Sequence, residues 1–104
     1  MSPDSIYTPG TVVTFALTTG DGSQAATYEN LLLKDVNIHV YGADVIYGSG
    51  IQVANCTQSS ATPIAGIIRA NAVVWFQDCY IQTIFFKSYV NATPGYVVIT
   101  GTVA

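Results

Sequence analysis

Gly and Pro set the grain of this chain. They fall at Pro9-Gly10, Gly20, Gly22, Gly42, Gly48, Gly50, Pro63, Gly66 and Pro94-Gly95, and divide it into segments mostly of strand length. Both residues are unfavourable inside helices, Gly through backbone entropy and Pro through its missing N–H. The segments between them are rich in β-branched and aromatic residues, which suit a pleated surface. They are TVVTFAL (11–17), NLLLKDVNIHVY (30–41), DVIYG (44–48), GIQVANCT (50–57), IAGIIRA (64–70), AVVWFQDCYIQTIFF (72–86) and GYVVITGTV (95–103). One stretch, SQAATYENLLLKD (23–35), holds helix formers in Ala25, Ala26, Glu29 and its leucines. Its leucine run continues into alternating Val36, Ile38 and Val40, which is a strand period, so at most one helical turn is expected there.

An all-β chain of 104 residues is expected to form one domain, with 1–27 as an N-terminal strand or cap region and 28–104 as its main body. Its surface cannot rely on ions. Half of the residues are hydrophobic and 9% are charged, against about 25% in ordinary soluble domains. Thr, Ser, Asn, Gln and Tyr must supply the polar surface. A net charge of −3 gives weak mutual repulsion between copies, which points towards a homo-oligomer. Three basic residues, Lys34, Arg69 and Lys87, cannot make a phosphate-binding stripe, so nucleic acid is not expected as a partner. No apolar run approaches the ~18 residues of a membrane-spanning helix, and membrane insertion is not expected. MSPDSIYTPG lacks the basic and apolar regions of a signal peptide. A virion or extracellular setting is nevertheless favoured by the low charge.

Cys56 and Cys79 read either as one disulfide or as two buried thiols. With a single histidine, His39, and no Cys/His cluster, neither a metal nor another cofactor is expected. His39 reads as a surface or hydrogen-bonded residue. Asn55-Cys-Thr57 and Asn91-Ala-Thr93 match the glycosylation sequon at chance level. GDG (20–22) and GSG (48–50) read as tight turns.

The chain also repeats itself. NLLLKDVNI, GIQVANCTQ and VVWFQDCYI superpose so that Asp35, Asn55 and Asp78 coincide, followed by Val36, Cys56 and Cys79. Two positions earlier stand Leu33, Val53 and Phe76; four earlier, Leu31, Ile51 and Val74. A fourth copy places Thr100 in the Asp/Asn column and Tyr96, Val98 and Val103 in the apolar ones. A period near 22 residues with strand patterning is what one coil of a parallel β-helix uses. The column Asp35, Asn55, Asp78 then marks a structural bend. There a short polar side chain tolerates left-handed backbone and bonds to nearby peptide groups. These coils resemble the right-handed parallel β-helix of the pectin-lyase-like superfamily, over about residues 28–104. The resemblance implies a short solenoid of about four coils. A β-sandwich or jelly roll is the alternative, because it also strings short strands between turns.

Members of that superfamily that cleave acidic polysaccharides use carboxylates on one sheet face. By that resemblance Asp35 and Asp78 would be the catalytic pair, with Lys34 and Asp44 nearby. Two coils of separation would set the pair about 10 Å apart, at the far limit for an inverting glycosidase. The structural role at a bend is the simpler reading, and no enzyme activity is expected. With Phe76 inward, Trp75, Leu32 and Tyr80 face outward, as an oligomer contact or a glycan platform. IFF (84–86) must send a large apolar side chain to the second face of its strand, which also needs covering. The last run, Tyr96, Val97, Val98 and Ile99 onward, is uncharged and ends the chain as a strand, so it is expected to pair with a neighbouring copy. Together these features point to a self-associating structural subunit of a virion, spike or fibre. The alternative is a short module that binds or cleaves glycans.

Overall fold

The fold comes from a computed structural model that describes residues 8–19, 26–28, 31–49, 53, 66–89 and 93–104. Eight strands account for the regular structure of these residues: β1 (Val12–Thr18), β2 (Ala26–Tyr28), β3 (Leu33–Tyr41), β4 (Val45–Gly48), β5 (Gly66–Ile68), β6 (Val73–Ile81), β7 (Ile84–Ser88) and β8 (Tyr96–Val103). They form two four-stranded sheets in the orders β1-β8-β3-β6 and β2-β7-β4-β5, called here sheets A and B. Every pairing is antiparallel. β1 pairs with β8, β2 with β7, β3 with β6 and β4 with β5, so the chain nests like one long hairpin. The pairs β3–β8 and β4–β7 join the rungs into sheets. This is the strand order of a jelly roll.

The parallel β-helix expectation is therefore overturned. β3 and β6, whose sequences look like successive coils, are antiparallel neighbours in one sheet. Like residues at matched spacing do meet, but across a ladder that runs in opposite directions. The fourth supposed copy fits only in part. In β8 Val103 is buried as its column requires, but Val97 and Ile99 are buried in place of Tyr96 and Val98. The helical turn allowed within 23–35 has no counterpart among the described residues there, which hold β2 and the start of β3. GIQVANCT lies outside the described residues apart from Val53.

Alternation places the core between the sheets. Leu33, Val36, Ile38, Val40, Val97, Ile99 and Val103 from sheet A meet Tyr28, Val45, Ile68, Ile84 and Phe86 from sheet B. At about 25 cal/mol per Å² of apolar area removed from water, this layer is the main source of stability. Gly101 sits where β3 bulges against β8, between Lys34 and Asn37. A Cβ there would come 3.0 Å from Val36 Cγ2 and 3.1 Å from Leu33 Cβ. Close approach of the two strands at the bulge thus favours glycine, because a Cβ would make Val36 and Leu33 give way by a few tenths of an ångström. At the other end, Thr19 is buried and its hydroxyl both donates to Gly95 O at 3.2 Å and accepts from Gly95 N at 2.8 Å. That exchange ties the end of β1 to the entry of β8 and satisfies the buried Thr19 hydroxyl.

The expectation that Tyr96–Ile99 offers a free strand to a neighbour is also corrected. β8 is an interior strand, bonded to β1 on one side and β3 on the other. Its sequence lacks charge because its alternate side chains fill the core and both of its edges are occupied. The edges of sheet A are β1 and β6 instead.

Candidate functional site

The outer face of sheet A forms a grid whose rows run across β1, β8, β3 and β6. One row holds Thr14, Thr100, Asn37 and Trp75; the next holds Ala16, Val98, His39 and Val73. On the other side of Trp75 come Val12, Thr102, Lys34 and Tyr80. Thr18, Tyr96 and Tyr41 close the far end. Val12 is 66% exposed, Trp75 64% and Tyr80 61%. Tyr41, Tyr96, Val73 and Leu32 are exposed as well. Thr14 and Thr100 share a hydroxyl–hydroxyl bond at 3.1 Å. His39 Nδ1 lies 3.3 Å from the Tyr41 hydroxyl, with the two rings stacked.

Asp35 and Asp78 interrupt this grid. Both have left-handed backbone, with φ of 53° and 57°, a conformation that short polar side chains tolerate best after glycine. They lie where the β3–β6 register shifts between Lys34 and Val36. Asp35 Oδ1 accepts a hydrogen bond from the Asp78 N–H at 3.0 Å. The bulge has a local purpose. It lets Leu33 and Val36, three residues apart, both reach the core while Lys34 and Asp35 face out. Asn55, the third member of the column, lies outside the described residues. The two carboxylates are thus separated by one strand spacing and not by two coils. One of them already serves a backbone N–H, and both are exposed. Among the described residues no group of three or more His, Cys, Asp or Glu side chains gathers.

The outer face of sheet B is built differently. Its outward residues include Ile46 on β4, Ile67 on β5 and Phe85 on β7, the last being the middle residue of the IFF run. Val53 covers them: Ile46 and Val53 are completely buried, and Ile67, Phe85 and Tyr89 pack against the pair. The Val53 N–H bonds Ser49 O at 3.0 Å, an i to i−4 contact. The second face that IFF required to be covered is therefore covered, in part, by this chain's own connection between β4 and β5.

Two further features flank the faces. Asp44, after β3, accepts from Ala70 N at 2.8 Å and from Arg69 Nη1 at 2.8 Å. The backbone bond from Ala70, followed by the Arg69 guanidinium, holds its carboxyl below the ordinary carboxylate range. Asp44 thus acts as a clasp between the start of β4 and the end of β5. Where β6 turns into β7, an open cleft of about 550 Å³ is lined by Tyr47, Phe76, Tyr80, Gln82, Thr83 and Phe85, among others. Tyr47 and Phe76 meet edge to face across the two sheets, with ring centres 5.8 Å apart. Cys79 is a free, half-buried thiol, and Cys56, Asn55 and Asn91 lie outside the described residues.

Reading the chain alone singled out Trp75, Tyr80 and Leu32 as outward residues, and the structure places all three at the surface of sheet A. It did not find Val12, Tyr41 or Val73. The signal was present in β1, where Val12, Thr14, Ala16 and Thr18 share one phase and Val13, Phe15 and Leu17 the other. No known family, curated protein or solved structure matches this chain.

Proposed function

We propose that this protein is a non-enzymatic structural subunit of a viral or extracellular assembly, which self-associates through the outer face of sheet A. The observation that carries this reading is the contrast between the two outer faces. The chain covers the apolar residues of sheet B and leaves those of sheet A in water. An exposed face rich in aromatic and aliphatic side chains and poor in charge, with Lys34 and Asp35 at one end, marks an association surface. Val12, Val73, Trp75, Tyr80 and Tyr96 supply large apolar area. Thr and Asn between them can exchange neutral hydrogen bonds with the same residues of a second copy.

The dimensions suit this role. Four strands about 4.8 Å apart and up to nine residues long present roughly 550 Å² in plan. Two such faces would hide on the order of 1,100 Å², just above the ~1,000 Å² expected of a specific interface. Sheets stack face to face at about 10 Å, as the two sheets of one sandwich do. By analogy of architecture, jelly rolls serve as capsid and lectin domains, and analogy alone does not assign a function.

Light scattering behind size-exclusion chromatography tests the proposal. Wild-type protein is expected to increase in mass with concentration, and Trp75→Glu to remain monomeric while folding normally. A wild-type monomer at every concentration would remove the proposal.

A further inference from the structure

The cleft at the β6–β7 turn borders the sheet-A face that carries the self-association reading and shares Tyr80 with it, but its chemistry is different. Its described lining includes the aromatic residues Tyr47, Phe76 and Tyr80, and its described polar groups are neutral. We propose that this cleft is a binding site for a neutral sugar, of one or two hexose rings.

Three observations support the assignment. First, the volume of about 550 Å³ falls in the size class of small-ligand sites. Second, the walls and the polar groups are segregated. Tyr47 and Phe76 brace each other edge to face, so their rings are preset and lose little freedom when a ligand arrives. An aromatic face receives the C–H side of a pyranose ring. Gln82 and Thr83 stand in the exposed turn beside it, and their side chains make no hydrogen bond with the described residues. An amide and a hydroxyl, each able to donate and accept, match sugar hydroxyls, which do the same. Third, no charged side chain is among the described residues lining the cleft, and the chain carries a net charge of −3. Anionic sugars therefore meet no counter-charge and a weakly repulsive field. A purely apolar ligand would leave Gln82 and Thr83 partly desolvated without partners.

The test is a nuclear magnetic resonance titration of the isotope-labelled protein with cellobiose, maltose and lactose, with sodium glucuronate as the anionic control. At least one neutral disaccharide is expected to give saturable shifts at the Gln82 and Thr83 amides. Gln82→Ala and Thr83→Ala change exposed residues that lie off the self-association face and should leave the fold intact. Each should weaken that binding by about tenfold, the scale of one hydrogen-bonding contact. No saturable shift with any of the three sugars would overturn the proposal. So would a response confined to Trp75 and its neighbours on sheet A, or an equal response to glucuronate.

Discussion

The two outer faces of this sandwich begin from similar material and end differently. Each places large apolar side chains on the side of a sheet away from the core. On sheet B Val53 packs on Ile46, and both are sealed from water. On sheet A, Trp75 and Val12 remain about two-thirds exposed. The difference teaches that apolar residues on a second sheet face do not by themselves indicate a partner. What matters is whether the chain spends a connection on covering them. On sheet B Val53 provides that cover, while sheet A leaves its face available.

The contrast can be broken most sharply by placing the same charge on each face. Ile46→Asp should destabilise the fold by at least about 3 kcal/mol, because an unpaired carboxylate would be buried. Trp75→Asp should stay within about 0.5 kcal/mol for the monomer, as a surface change. Urea unfolding of both variants measures the gap, and equal effects would show that the two faces are not distinct. Next in size is Gly101→Ala. Its Cβ would press on Val36 and Leu33, costing about 1–3 kcal/mol in the same assay. Both residues must shift because the bulge has drawn them inward together.

Removing half of the cover is a milder probe. Val53→Ala should cost about 2 kcal/mol and make Tyr89 and Phe85 more accessible, without altering the exposure of Trp75. Asp44 offers a pH probe of the clasp that holds β4 to β5. Its folded carboxyl titrates below its ordinary value of 3.8. The stability it contributes is therefore full above that value and is lost as pH falls through the lower folded one. Asp44→Asn should flatten the acid limb of the unfolding curve. Arg69 is 70% exposed, so Arg69→Ala should matter less than loss of the backbone bond from Ala70. The smallest effect is expected on the open face. Asp78→Gly relieves left-handed strain and should leave stability unchanged or raise it by up to ~1 kcal/mol. A loss of stability there would mean that the Asp78 side chain has a partner in the folded protein.

Much of the strand pattern was legible in the residues. The alternation in TVVTFAL and GYVVITGTV marks strands, and the shared step at Asp35 and Asp78 marks a left-handed irregularity within two strands. Pairing direction was not legible. A polar residue that sits at a bend of a solenoid looks the same as one in an antiparallel bulge, since both need a short polar side chain with φ above zero. Nor was the interior place of β8. Its partner β1 lies some eighty residues away, with Phe15 opposite Ile99 and Thr14 opposite Thr100, and only the nested pairing of the jelly roll brings the two ends together. The open face was half legible. Trp75 and Tyr80 are conspicuous, but their continuity with Val12, Tyr41 and Val73 depends on which strands are neighbours.

Trp75 is the chain's one tryptophan, so its fluorescence reports the open face directly. The decisive measurement is its emission maximum and acrylamide quenching across a concentration series, read beside the particle mass. The account predicts water-exposed emission in dilute protein, then a blue shift and protection from acrylamide as mass rises. If the protein assembles while Trp75 stays fully quenchable, or never assembles, the face is not the interface and the central claim is wrong.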